Sequence, residues 1–435
     1  MLRALQALSL SLALMFSPQV AAAHETWVTE YPRVAARAER DCAGPQIDGC
    51  RRQLLRLTEL LDGRPDIVYR LARIEARLGH TAASLDYLDL YARSQLDLGD
   101  PEREPDFGGL RANAHFQDLA AAYRAGLKPR EAHAVLAAIP DRDLIAEDLG
   151  QDPRDGARYL SSVRAGMVLR LDAGGHWSEF LTSADLAAWG IYAVVVDPMR
   201  ERLWLSSVAG PVSPPYRSAD HGRSAILRIA LKSRAVERRY ELPDGQPHAF
   251  GDMALDAHGE LYVADGLGGG VYRIGPEPAA ALLPLVRPGL LRSPQTPVPL
   301  ADGSRLMVPD YSRGIAIIDV QQHDRVTWLA HPPELALYGI DGLYLHGQML
   351  IAVQNGTVPE RLLLLHLDST LSRIVHWEVA LVGAPGLGDP THGLLAGRQF
   401  QFIANSGWDR VDDLGHLRAD PAAGSPAIWS IELPE

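Results

Sequence analysis

The sequence predicts an all-β six-bladed β-propeller with an N-terminal α-helical region. Three observations carry this. Apolar spacing changes from helical to alternating near residue 140, one strand-turn-strand cadence then recurs six times, and turn formers are abundant, with 39 Gly and 31 Pro in 435 residues. At 22% charged and 47% hydrophobic, the composition excludes disordered, collagenous and polytopic membrane chains. A net charge of −12 without a basic stripe excludes a general nucleic-acid binder, because phosphate contact needs concentrated positive charge.

Residues 1–23 read as a signal peptide: basic Arg3, an apolar stretch from Leu8 to Phe16, the breaker Pro18 and the small-residue end at Ala21, Ala22 and Ala23. No later run approaches the roughly 18 apolar residues that span a bilayer, so no transmembrane anchor is expected. The mature chain is expected to be soluble and exported, periplasmic or secreted. Cys42 and Cys50 lie eight apart in a Gly- and Pro-containing stretch. In an oxidising compartment they are expected to form a local disulfide, since no Cys-x-x-Cys spacing or neighbouring His completes a zinc site.

Residues 24–140 are expected to be helical. From Arg51 onward Leu54, Leu57, Leu61, Val68, Leu71, Ile74 and Leu78 keep helical spacing. Tyr69 to Gly79, followed by Ala82, Ala83, Leu85 and Leu88, resembles a tetratricopeptide helix pair. Phe116 to Gly126 repeats the aromatic-to-Gly interval, with a second helix expected over Ala132 to Leu136. Two units are fewer than a free solenoid needs. The region is therefore expected to cap the next domain, the alternative being a docking scaffold for a protein partner.

Residues 141–435 are expected to form the propeller. The units run Leu144–Leu181, Gly190–Leu242, Phe250–Val286, Leu291–Ala330, Leu337–Ala380 and Asp389–Pro434, about 49 residues each, which is blade-sized. A single four-stranded blade cannot bury both faces, so the six are expected to stack into a ring.

One residue per unit falls at the start of the innermost strand: Glu147, Tyr192, Asp252, Gln295, Asp341 and His392. These side chains are expected to converge at the axis. Converging carboxylates repel unless a cation or shared protons compensate. A divalent ion held by Glu147, Gln295, Asp341 and Asp252 is therefore expected, with oxygen donors suiting Ca²⁺, Mg²⁺ or Mn²⁺ and His392 shifting preference toward Mn²⁺ or Zn²⁺. A polar tunnel whose residues bond one another without an ion is the other reading. Asn355 and Asn405, in polar turns after central strands, are candidates for contact with substrate alongside Tyr192, although turn chemistry alone also accounts for them. Arg361 and Arg410 are candidates for pairing with an anionic substrate or with surface carboxylates.

The segments "AEDLGQDPRDGARYLSSVRAGMVLRLD", "GDMALDAHGELYVAD" and "GIDGLYLHGQMLIAV" resemble the gluconolactonase and regucalcin group of six-bladed propellers. The resemblance spans Leu144 to Pro434. It implies a metal held by a first-blade Glu, matched by Glu147, and a fifth-blade Asp, matched by Asp341 within Ile340 to Gly342. Gln295 stands at the expected fourth-blade Asn, and Gly251 beside Asp252 at the third-blade Asn. The implied activity is metal-assisted hydrolysis of a small lactone or ester, with Asp341 as general base and His392 as proton shuttle.

No Gly-x-Ser-x-Gly elbow, Walker loop or His-Glu-x-x-His pair is present, and "GLGGGV" at 266–271 lacks dinucleotide spacing. Two functions remain: an exported metal-dependent hydrolase, or a non-catalytic propeller that binds a ligand or protein.

Overall fold

The computed structural model describes residues 26–434 apart from 214–215, 413 and 421–423. The expected signal peptide lies outside the described residues.

The chain opens with five helices: α1 (Trp27–Ala43), α2 (Ile47–Leu60), α3 (Pro65–Arg77), α4 (Thr81–Arg93) and α5 (Ala114–Gly126). Cys42, at the end of α1, is joined by a disulfide to Cys50 in the first turn of α2. Pro65 starts α3 where a missing N–H is harmless, and Gly79, at φ +76°, reverses the chain into α4. Val34, Leu54, Leu57 and Leu71 fill one core, and Tyr69, Tyr91, Phe107 and Phe116 fill a second. None of the described helices is long and apolar enough to cross a membrane.

The helix expected over Ala132 to Leu136 is instead a strand, Ala134–Ala138, which pairs antiparallel with Ala427–Glu432. Sheet structure thus begins before residue 141, the expected domain boundary. The five-residue run Ala-Val-Leu-Ala-Ala has helix propensity, but a ladder with Ser430, Trp429, Ile428 and Ala427 satisfies its backbone, so tertiary pairing overrides propensity.

Six four-stranded antiparallel sheets follow one another around the ring. Their innermost strands are Ala146–Gln151, Gly190–Asp197, Phe250–Leu255, Val298–Pro299, Ile340–His346 and Gly393–Ala396, numbered here as blades one to six. An apolar core lies at each junction between neighbouring blades. Closure shows in the core shared by Leu149, Leu160 and Leu169 of blade one with Leu394, Ile403 and Ile428 of blade six. Blade six takes only three strands from the C-terminal segment; its outer strand is Ala134–Ala138.

In five blades a polar residue near the end of the second strand fastens the loops at one face: Ser162, Ser207, Asp265, Asp310 and Gln354. Asp310, for example, accepts from the backbone N–H groups of Arg292, Ser293 and Ser312. This is the face on which the innermost strands begin. The helices dock on that same face against blades four and five. Trp27 donates its indole N–H to Leu290 O at 3.0 Å and meets Trp328 edge-on, and the Arg64 guanidinium lies 4.4 Å from the centre of the Tyr338 ring. Asp97 N–H donates to Val358 O at 2.7 Å. Asp62 pairs with His331 at 3.1 Å. The helical region is therefore packed beside the axial opening.

Candidate acid–base centre

The innermost strands lose regular register where the predicted polar residues fall. In blade one Ala146 pairs with Ser162 and the next pair is Leu149 with Leu160, which leaves Glu147 and Asp148 in a bulge. Tyr192 sits in a similar irregularity between Ile191 and Val194, and Asp341 between Ile340 and Gly342. In blade three Gly251 takes the unpaired position and Asp252 follows it. Bulges re-aim side chains at strand ends. Here they turn carboxylates from sequence-distant blades toward one volume.

Asp252, Asp341 and His392 meet there. His392 Nε2 is in ion-pair contact with Asp252 Oδ1 and lies 3.9 Å from Asp341 Oδ1. The His392 backbone N–H donates to Glu147 O at 3.2 Å, and ring Nδ1 lies 3.3 Å from the same oxygen. Glu147 Oε2 accepts from the Trp408 indole N–H. Asp252 and His392 are each 4% exposed and Glu147 is 8% exposed, while the Asp341 side chain is 14% exposed, so solvent reaches the centre mainly at Asp341.

Burial sets the electrostatics. It pushes the Glu147 carboxyl well above its ordinary range, and the negative charge of Asp341 pushes the same way. Asp341 is also raised by burial, against the lowering effect of His392. Burial opposes charge on His392, but Asp252 and Asp341 outweigh it and hold the imidazole well above its usual value.

Asn355 bridges two blades. Its Nδ2 donates to Asp341 Oδ2 at 2.8 Å and to Pro390 O at 3.0 Å, and its Oδ1 accepts from Tyr311 OH at 3.1 Å. Both amide hydrogens are committed, so the side chain considered for substrate contact instead fixes Asp341 and the segment leading to His392. Asn405 has φ +56°, the left-handed backbone a turn requires, and its side chain lies against Gly388 and Gly424. Tyr192 stands beside Trp408, with ring centres 6.1 Å apart, and shares an apolar cluster with Ile145, Val163 and Val212.

Gln295 does not join the centre. Its amide folds back and donates to Ser293 Oγ at 3.0 Å. The expected cage of Glu147, Gln295, Asp341 and Asp252 does not fit a divalent ion: the Gln295 amide is engaged elsewhere, Asp252 faces His392, and Glu147 accepts from Trp408. Among the described residues no group of three or more His, Cys, Asp or Glu side chains is arranged to hold a metal ion. Neither arginine presents a free cation. Arg361 is fully buried against the helices, and Arg410 pairs with Asp143 at 2.8 Å.

Four residues of the centre carry no repeat signal. Asp148 accepts from Val194 N–H at 2.8 Å, linking blades one and two, and burial pushes it up to about 6. The Thr296 hydroxyl lies 2.9 Å from Asp341 O and 3.3 Å from Asp252 Oδ1. Tyr344 OH accepts from Gly393 N–H at 2.7 Å. Trp408 arrives from the long loop of blade six. Only adjacency marked any of them in the sequence, Asp148 beside Glu147 and Thr296 beside Gln295.

These features define a six-bladed β-propeller with an N-terminal helical segment and a buried acid–base centre at one end of its axis. No protein-family model and no curated protein matches the chain. Among solved structures it is similar to a luciferin-regenerating enzyme, at 11% identity over 69% of this chain and 95% of that one, with a TM-score of 0.47. It is similar to a catalytically inactive virginiamycin B lyase from Staphylococcus aureus, at 13% identity over 70% and 99%, TM-score 0.46. A gluconolactonase from Xanthomonas campestris matches at 14% identity over 70% and 97%, TM-score 0.46. The likeness is one of blade architecture.

Proposed function

We propose that the chain is an exported hydrolase of a small lactone or related ester, with Asp341 and His392 as its acid–base pair. The observation that carries this reading is a single buried imidazole set between two carboxylates, Asp252 and Asp341, at the axial end of the ring. Asn355 holds Asp341 Oδ2, which leaves Oδ1 toward His392.

In this reaction Asp341 takes a proton from water as the water oxygen bonds to the carbonyl carbon. His392 gives its Nε2 proton to the alkoxy oxygen as the carbon–oxygen bond breaks. The proton on Asp341 then returns to His392 across their 3.9 Å gap, which restores both groups. Burial favours the protonated form of Glu147, which donates to the carbonyl oxygen, and Tyr192 with Trp408 forms the apolar wall for the rest of the substrate. The expected divalent ion is not part of this reading, because Gln295 turns to Ser293 and His392 stands between Asp252 and Asp341.

The test is turnover of a lactone and ester panel by the mature protein. Asp341→Asn and His392→Gln are expected to lower kcat on the order of 10²–10⁴-fold while thermal unfolding stays cooperative. The near-complete burial of the centre favours a second reading, a non-catalytic propeller that binds a ligand or a protein partner. A folded protein with no turnover across the panel selects it.

A further inference from the structure

We infer that His392 fills, with its own imidazole, the place between Asp252 and Asp341 that a shared divalent ion would need. The inference concerns the centre of the proposed hydrolase, but its test does not depend on turnover.

An ion bridging two carboxylates needs an oxygen of each at about 2.0–2.6 Å. His392 Nε2 already contacts Asp252 Oδ1 and faces Asp341 Oδ1. The ring is not a loose side chain that an ion would displace. The His392 N–H donates to Glu147 O, and its carbonyl accepts from Ile403 N–H at 3.1 Å. The next residue is fixed as well: Gly393 N–H donates to Tyr344 OH, and a Cβ at Gly393 would meet Gln401 O at 2.1 Å. The backbone carrying the imidazole is thus clamped between blades one, five and six.

The ring's surroundings match the part. Nδ1 faces a carbonyl oxygen and Nε2 faces carboxylates, so both nitrogens look onto acceptors. Nε2 is buried, and its contact is with Asp252 Oδ1. In the third and fourth blades Gly251 has no side chain and the Gln295 amide turns to Ser293, so those blades present only Asp252, already in contact with His392, and the Thr296 hydroxyl.

The test is metal binding by the full mature chain. Ca²⁺, Mg²⁺, Mn²⁺ and Zn²⁺ are titrated by calorimetry and thermal unfolding into wild type and His392→Ala, with elemental analysis of both. Wild type is expected to purify without stoichiometric metal and to show no shift in Tm with any of the four. His392→Ala is expected to gain saturable binding of one ion and a Tm that rises with its concentration, because Asp252 and Asp341 are left facing an open space. A stoichiometric ion in wild type overturns the inference, as does a folded His392→Ala protein that gains no binding. Should His392→Ala fail to fold, His392→Ser decides: a folded serine variant is expected to gain saturable binding of one ion, and one that gains none overturns the inference. Turnover that requires metal overturns it and leaves hydrolysis standing. A metal-free wild type without turnover, beside a metal-binding His392→Ala, does the reverse.

Discussion

Arg361 Nη1 donates to the Ser94 carbonyl oxygen at 2.9 Å, so a buried cation of blade five closes the C-terminal end of α4. It also reaches Gln95 O at 3.1 Å, and its Nε donates to Gln354 at 2.7 Å. The negative end of a helix favours such a cation, and burial lowers the guanidinium to about 9. Arg361→Met keeps much of the volume but strips donors from two buried oxygens, of Ser94 and Gln354, at about 1–3 kcal/mol each, and from the half-buried Gln95 O. Urea unfolding should show the loss, and amide exchange should rise first in α4.

The pairing of Asp62 with His331 makes docking of the helices pH-dependent. Burial works against charge on His331, but the contact with Asp62 outweighs it and raises the imidazole above 6.5. The same contact lowers Asp62 below 3.8. The His331 contribution is full below 6.5 and is lost as pH rises through its raised folded value. The Asp62 contribution is full above 3.8 and is lost as pH falls through its lowered value. Protease protection of the linker between α2 and α3 should therefore be greatest between about 3.8 and 6.5. His331→Gln should flatten the alkaline side of that profile.

Asn355 supports Asp341 without a free hydrogen to offer a substrate. Asn355→Leu removes the donor to Asp341 Oδ2 and is expected to cost about 1–3 kcal/mol. If hydrolysis is confirmed, the variant should lower kcat more than it raises KM and should shift the pH profile toward higher pH, because Asp341 loses a bond that favours its charged form. Tyr311→Phe, one step further out, should produce a smaller change of the same kind.

Trp408→Phe keeps an aromatic face beside Tyr192 and deletes the N–H that Glu147 accepts. That bond lowers Glu147, so its loss should move the carboxyl further up. Carboxyl-carbon NMR titration of wild type and variant measures the displacement; an unchanged Glu147 would show that the indole does not tune it.

The blades and the inward-facing starts of their innermost strands were legible because both follow from local alternation and turn spacing. Glu147 and Asp341 fall in the bulges of their strands, Asp252 one position past the bulge of its own and His392 just before its strand, so all four lie where the innermost strands begin. Side-chain commitments were not legible. Gln295 matches the cadence of the sequence, yet Ser293 two residues earlier captures its amide and the neighbouring Thr296 reaches the centre instead. Asn355 reads as a turn residue because its partners, Tyr311 and Pro390, lie in other blades. Arg361 opens a strand that holds five leucines, and nothing nearby signals a partner 267 positions away. The strand at 134–138 read as helix for the same reason: the chain that pairs with it is at the opposite terminus.

That strand has a practical bearing. Any shortened version of the protein that starts at residue 141 would leave the edge of Ala427–Glu432 bare, with Ile428 and Trp429 no longer flanked, and would present a sticky rim to other molecules. The ring is fastened by a latch made from its own first β segment, so blade six is complete only when residues 134–138 and 427–432 are both present.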